Sequence, residues 1–294
     1  MRKTFLLGVG AQKAGTTWLY QYLRGHPDCA MGRIKEHAVL YTALSDTRPS
    51  TRFVAKADAL ITLLERLKAQ AEHRRPDAAV QAELLDLMDN ISSEFDLAYY
   101  LMTFERLLAA APTARLTGDI TPEYSLLSGD ELARFRQMIE AAGYDLKVVF
   151  LMRDPVERAY SALRMTDRNR LGAGLPVPVP AAERFDTQAI EPWVEGRTRY
   201  EVILENLDAA FDPGQVHLAF YETFFTEESL SRLLAFLGIA PHPANFGHMA
   251  NASPDGAALS PDRVAPVRAF YDATYRYCAD RFGAAFVSEI WKWT

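Results

Sequence analysis

The segment from Gly10 to Thr17, GAQKAGTT, combines residue types that suit an anion-binding loop. It follows a short apolar run and precedes residues with helical spacing, so its backbone amides and the positive end of a helix dipole would converge on one point. In a Walker A loop the lysine directly precedes Ser or Thr, whereas here Lys13 comes before Gly15. The loop therefore predicts a phosphate site that contains Lys13. A glycine turn with an incidental lysine is the alternative.

A second cluster lies in VVFLMRDPVERAYSALR. The apolar run ends at Met152, so Arg153 is expected at the carboxyl edge of a sheet, where open α/β folds bind ligands. Ser161 follows eight residues later, about two helical turns, and can face the same side as Arg153. An arginine fork and a hydroxyl suit a terminal phosphate dianion. Surface ion pairs with the neighbouring carboxylates are the alternative.

The tripeptide Lys35-Glu36-His37 offers both a carboxylate and an imidazole shortly after the first predicted helix. Transfer of a group to a hydroxyl or amine needs a base for the acceptor proton. Glu36 and His37 are both candidates, and Asp119 is a further one because it follows another predicted strand. An exposed turn without a catalytic role is the alternative for the tripeptide.

Together these segments resemble the PAPS-dependent sulfotransferases, in particular bacterial members similar to the heparan-type enzymes. The resemblance runs through GVGAQKAGTTWLYQYLRGHP, IKEHAVLY, GDITPEYSLL, FLMRDPVERAYSALR and HMANASP. It implies that the first loop binds the 5′-phosphosulfate of 3′-phosphoadenosine 5′-phosphosulfate (PAPS), and that the arginine and serine bind its 3′-phosphate. The nucleotide-binding residues that it implies are Gln12, Lys13, Ala14, Gly15, Thr16, Thr17, Arg153, Ser161, Asn251 and Ser253.

The same resemblance bears on catalysis. KEHAVLY is similar to the KE-x-HFF element of the heparan sulfotransferases, whose glutamate is the base, so Glu36 is the first choice. The histidine of that element stands two places after the glutamate, whereas His37 is adjacent, and cytosolic sulfotransferases use a histidine base, so His37 stays the second choice. Lys13 would stabilise charge on the bridging oxygen as adenosine 3′,5′-bisphosphate leaves, and no metal is required.

Two other functions fit the same loops. A P-loop phosphotransferase would use Asp154 as its Mg²⁺ carboxylate, although Pro155 and the displaced lysine disfavour it. A non-catalytic nucleotide-binding module would need no base. The acceptor stays open between a glycan, a lipid-linked sugar and a small molecule, as does the choice between O- and N-sulfation.

Strands must alternate with helices to position these residues. The sequence predicts strands over 4–9, 115–120, 147–152 and 216–220, and a closing helix over 262–282. This order indicates an α/β fold with a P-loop-like central parallel sheet flanked by helices. Amphipathic helices between them predict a helical insertion over about 54–112 within a single domain spanning 1–294.

The composition narrows the cellular setting. The chain has 294 residues, 49% of them hydrophobic, and a net charge of −6. Without a Lys/Arg run, neither a nucleic-acid footprint nor a polybasic membrane anchor is expected. The apolar run near the start has the length of a strand, and no stretch reaches the roughly 18 apolar residues of a membrane helix. Two cysteines fit a reducing compartment, so we expect a cytoplasmic protein of undetermined oligomeric state.

Overall fold

A sheet of four parallel strands forms the centre of the computed structural model, which describes residues 2–44, 51–71, 78–247 and 257–294. The strands are β1 (Thr4–Gly10), β2 (Leu116–Ile120), β3 (Asp145–Met152) and β4 (Val216–Phe220), in the order β2-β1-β3-β4. The predicted α/β fold with a parallel sheet is confirmed.

Helices cover both faces of this sheet, as a parallel sheet requires. Nearly every side chain of β1, β2 and β3 is buried, which explains why these strands read as continuous apolar runs. The first eight helices are α1 (Thr16–Arg24), α2 (Val39–Ala43), α3 (Thr51–Ala71), α4 (Ala78–Phe95), α5 (Leu97–Ala110), α6 (Gly129–Ala141), α7 (Pro155–Gly172) and α8 (Phe185–Gln188). The later ones are α9 (Pro192–Glu195), α10 (Tyr200–Ala210), α11 (Tyr221–Phe224), α12 (Glu227–Leu237), α13 (Pro261–Phe270), α14 (Asp272–Phe282) and α15 (Ala284–Ile290). Short 3₁₀ turns span Pro122–Leu126 and Pro213–Gln215.

The strand order brings the two predicted phosphate-binding segments together. β1 lies between β2 and β3, so the chain leaving β1 and the chain leaving β3 emerge side by side at the carboxyl edge. The amide of Ala11 donates to the carbonyl of Leu151 at 2.7 Å, which joins the two segments directly. The sheet therefore positions the loop after β1 beside the start of α7.

Three helices, α3 to α5, occupy most of the region for which the sequence predicts an insertion. Asp96 caps α5 by accepting a hydrogen bond from the amide of Ala98 at 2.8 Å, which separates α5 from α4. The extent of the insertion and the single-domain assignment stay predictions.

The carboxyl-terminal region differs from the single helix expected over 262–282. The chain there forms α13 and α14, with a break at Tyr271, and α15 follows. Tyr271 is fully buried and its hydroxyl donates to the carbonyl of Ala189 at 2.6 Å. This buried tyrosine joins the turn to the body of the protein, which a helical periodicity does not reveal.

Candidate functional site

The loop between β1 and α1 has the backbone of an anion-binding turn. Lys13 and Gly15 both adopt positive φ, at 72° and 95°. A Cβ atom at Gly15 would come within 2.9 Å of Cζ of Phe225, so both the conformation and the space favour glycine. Within the described residues no side chain caps α1, and its first turn contains no acidic residue. The first amides of α1 are therefore suited to binding a phosphate.

Lys13 lies in a cluster of cations. Its pKa is lowered to about 8, first by burial and then by the positive charges of Arg168, Arg153, Lys35 and Arg164. So many like charges around a partly buried ammonium favour an anionic ligand, since the ligand would offset their repulsion. The protein has a net negative charge, yet this edge of the sheet is locally positive.

Arg153 connects the second predicted segment to the first. Its Nη1 donates to the carbonyl of Lys13 at 3.2 Å, and its guanidinium lies 4.3 Å from the centre of the Tyr221 ring. Its Nη2 is 3.8 Å from a carboxylate oxygen of Glu157. Ser161, which is buried, lies one turn further along α7 on the same face as Glu157. The structure thus brings Arg153 to the loop and places Ser161 on the adjoining helix face.

Asp154 has a structural role at the start of α7. Its buried carboxylate accepts hydrogen bonds from the amides of Val156, Glu157 and Trp293 and from the hydroxyl of Tyr275, at 2.8 to 3.2 Å. A carboxylate with these four donors is poorly suited to ligate Mg²⁺. This arrangement disfavours the phosphotransferase alternative on the chemistry of Asp154 itself.

Lys35 and Glu36 form a link between the first loop and the chain that follows α1. Nζ of Lys35 lies 3.5 Å from Oγ1 of Thr16 and also pairs with the carboxylate of Glu36. The side chain of Glu36 is 39% exposed, so it can meet a ligand from solvent. The Lys35 ammonium therefore brings an exposed carboxylate close to the turn that is predicted to bind phosphate.

His37 is buried in the core. Its Nδ1 lies 3.2 Å from Nδ2 of Asn90, and its ring centre is 5.0 Å from that of Phe104 and 6.1 Å from that of Tyr100. Burial lowers the pKa of His37. Adjacent residues of the tripeptide therefore have opposite environments, with Glu36 exposed and His37 enclosed.

Asp119 holds the chain just after Glu36. Its carboxylate is fully buried and accepts hydrogen bonds from the hydroxyls of Tyr124, Thr121 and Tyr100 and from the amide of His37, at 2.6, 2.7, 3.1 and 3.4 Å. The amide of Ala38 also donates to Oγ1 of Thr121 at 3.3 Å. These contacts are typical of a positioning group, and Asp119 has no exposed surface from which to act as a base.

The remaining predicted residues fall into two groups. Gln12 and Thr17 are half-buried in the loop, Ala14 and Thr16 are buried, and Oε1 of Gln12 has no hydrogen-bond partner within the described part of the chain. Asn251 and Ser253 lie outside the described residues.

The sequence patterns did not identify Arg164 and Arg168 as cations near Lys13. Both contribute to lowering the pKa of Lys13, and they follow Ser161 by three and seven residues on α7. That helical spacing, which places all three on one face, is the signal that could have identified them.

Two further searches concern only the described ranges. No group of three or more His, Cys, Asp or Glu side chains is arranged there to hold a metal ion. No helix in those ranges is both long and apolar enough to cross a membrane.

A parallel sheet flanked by helices, with a turn suited to phosphate after its first strand, defines an α/β protein with a P-loop-like fold. The family model described as "Sulfotransferase family" matches residues 6–243, and the chain belongs to this family. The resemblance drawn from the sequence motifs is thereby confirmed at the level of the family.

Three solved structures are similar to this chain, and the first of them supports the fold. A sulfotransferase from Alicyclobacillus acidocaldarius has a TM-score of 0.55 and 18% identity, with 95% of this chain and 96% of that chain covered. A sulfotransferase domain from the curacin biosynthetic pathway has a TM-score of 0.44 and 20% identity, covering 82% and 75% of the two chains. A sulfotransferase domain from the Synechococcus PCC 7002 olefin synthase has a TM-score of 0.44 and 17% identity, covering 91% and 94%. No curated protein sequence matches this chain.

Proposed function

We propose that this sulfotransferase takes the sulfuryl group of PAPS and transfers it to a hydroxyl or amine of an acceptor, with Glu36 as the general base. The observation that carries the proposal is the position of Lys35, whose Nζ contacts both Thr16 and Glu36. A loop suited to phosphate and an exposed carboxylate are thus adjacent in space, which is what transfer to an acceptor requires.

The cations at the sheet edge support PAPS as the donor. The positive charges near Lys13 match a ligand with phosphates at both ends, and the link from Arg153 to the carbonyl of Lys13 couples the two predicted phosphate sites. In this proposal the turn holds the 5′-phosphosulfate, while Arg153 and Ser161 hold the 3′-phosphate. Gln12, whose side-chain oxygen is buried, would complete the loop.

The proposed reaction is a direct displacement at sulfur. Glu36 accepts the proton of the acceptor hydroxyl or amine while the new bond to sulfur forms. The bond from sulfur to the bridging oxygen breaks, and the charged amino group of Lys13 stabilises the negative charge on that oxygen. Adenosine 3′,5′-bisphosphate and the sulfated acceptor are the products. Charge stabilisation by Lys13 and the loop amides requires no metal in this scheme.

A test of the base is Glu36→Gln, which keeps the size of the side chain and removes its basicity. We expect kcat to fall by roughly 10²–10⁴, with nucleotide affinity unchanged. Release of adenosine 3′,5′-bisphosphate measures turnover, and calorimetric titration measures nucleotide binding.

The matched control is His37→Asn, which retains a polar group near Asn90. Because His37 is buried, this change should lower the melting temperature. It should have little effect on kcat. If His37→Asn abolishes turnover in a folded protein while Glu36→Gln stays active, the base is His37. A non-catalytic module would bind nucleotide but show no turnover in any variant.

The cellular setting is part of the same proposal. Both cysteines, Cys29 and Cys278, are buried free thiols, as a reducing compartment allows. We therefore place the enzyme in the cytoplasm, as a single domain over 1–294 that acts on a small molecule or a glycan and engages neither nucleic acid nor the membrane interior.

A further inference from the structure

A cavity of about 690 Å³ opens between α3, α4 and the segment around Glu36. Glu36 and Asn90 both lie on its wall. Nδ2 of Asn90 donates a hydrogen bond to the backbone carbonyl of His37 at 3.2 Å. Glu36 pairs with Lys35, and Lys35 in turn contacts Thr16. The side chain of Lys35 therefore connects the wall of the cavity to the loop between β1 and α1. Its volume is in the range of about 300–1,000 Å³ that small-molecule sites occupy.

The charges along the cavity compensate one another. Each basic side chain on the wall pairs with a carboxylate, in the pairs Arg33–Asp86, Lys56–Glu94 and Arg66–Glu83. The distances between nitrogen and oxygen in the first and last pairs are 2.6 and 3.7 Å. This pairing contrasts with the cluster of like charges around Lys13, and it gives an anionic acceptor little electrostatic advantage.

Apolar side chains contribute much of the remaining wall. Ile34, Ala59, Leu63, Ala79 and Leu87 all line the cavity, and Leu63 is 4% exposed. Ala59 and Leu63 are one turn apart on α3, while Ala79 and Leu87 share a face of α4, so the two helices present small and aliphatic groups to the same space. Such a surface binds the apolar body of a ligand by excluding water.

We propose that this cavity is the acceptor site and that it takes a small, uncharged alcohol or phenol with a largely apolar body. This inference rests on the proposed function, since the acceptor hydroxyl must reach Glu36 to lose its proton as oxygen bonds to sulfur. A long anionic glycan would find every cation of the wall already paired with a carboxylate. The helices α3 and α4 thus determine the choice of acceptor.

The test compares 2-naphthol and decan-1-ol with a tetrasaccharide that contains glucuronic acid, using labelled PAPS. Ala59→Trp fills the cavity, and the matched control is Ile61→Trp, at an exposed position on the opposite face of α3. We expect sulfation of at least one uncharged probe and none of the tetrasaccharide. We also expect Ala59→Trp to raise the KM for that probe by about tenfold or more, and Ile61→Trp to change it by less than about twofold.

Binding of 2-naphthol and decan-1-ol by equilibrium dialysis, in the presence of adenosine 3′,5′-bisphosphate, gives a second measurement. Probe binding that Ala59→Trp weakens and Ile61→Trp does not supports the cavity assignment even without turnover. Preference for the tetrasaccharide, equal effects of the two tryptophans, or no binding of either uncharged probe overturns it. A protein whose melting temperature does not rise with adenosine 3′,5′-bisphosphate would instead contradict the proposed function, so the two failures are distinguishable.

Discussion

Nucleotide binding should weaken as the pH rises through the pKa of Lys13. In the free protein that pKa is about 8, because burial and nearby cations, Arg168 first among them, disfavour the charged form. A bound phosphate favours the charged form and returns the pKa toward its ordinary value of about 10.4. Binding is therefore coupled to uptake of a proton, and affinity falls wherever the free protein has already lost that proton.

The size of this effect follows from the two pKa values. The dissociation constant of adenosine 3′,5′-bisphosphate should rise by about tenfold between pH 7 and pH 9, since most Lys13 side chains are neutral at the higher pH. Near pH 8, binding should take up about half a proton per nucleotide. Lys13 is partly open to solvent, so the measurement belongs at low ionic strength, where screening is weakest.

Isothermal titration in buffers of different ionisation enthalpy measures both the affinity and the proton uptake. The control is Lys13→Arg, which keeps the positive charge across the whole range and should flatten the pH profile. An affinity that does not change from pH 7 to pH 9 in the unaltered protein would refute this reasoning. So would equal pH profiles for the protein and for Lys13→Arg.

Three further changes probe other parts of the site. Arg153→Ala should weaken adenosine 3′,5′-bisphosphate by about 2–3 kcal/mol and adenosine 5′-monophosphate by much less, measured by titration, and equal losses would contradict a 3′-phosphate contact. Asp119→Asn should lower the free energy of unfolding in urea by about 3 kcal/mol, because a buried acceptor of several hydrogen bonds becomes a partial donor. Glu222 accepts a hydrogen bond from the amide of Asp154 at 2.9 Å, and burial raises its pKa to about 7. Stability is therefore lost as the pH rises from the unfolded pKa of about 4 to about 7, and the loss is complete above that range. Glu222→Gln should therefore raise the melting temperature at pH 8 and leave it nearly unchanged at pH 4, and a lower value at pH 8 would count against this sign.

The sequence was sufficient for the sheet and for the positions of the two segments predicted to bind phosphate. The four predicted strands are observed with boundaries that differ by at most two residues, because buried parallel strands are apolar on both faces and stand out from amphipathic helices. The positions of Lys13 and Arg153 at one edge followed from the same logic, since the carboxyl ends of parallel strands lie together. These are local patterns and one topological rule, and both can be read along the chain.

The environments of Glu36 and His37 could not be read in this way. The two residues are adjacent, yet one side chain is exposed and the other is enclosed by Asn90, Tyr100 and Phe104. The burial of His37 depends on residues of α4 and α5 that are more than fifty positions away in the chain. No periodicity near position 36 records which distant helices will pack there.

Only the tertiary structure shows that the Asp119 carboxylate is enclosed by hydrogen-bond donors. It also brings together the cations around Lys13. The sequence offered Asp119 as a further base, but the fold surrounds its carboxylate with hydroxyl and amide donors from separate segments. Arg168 and Lys35 lie far from Lys13 in sequence and act on its pKa through space. The local sequence therefore determined which side chains stand at the end of each strand. The long-range packing of helices determined which of those side chains are buried, which are paired and which are exposed to a ligand.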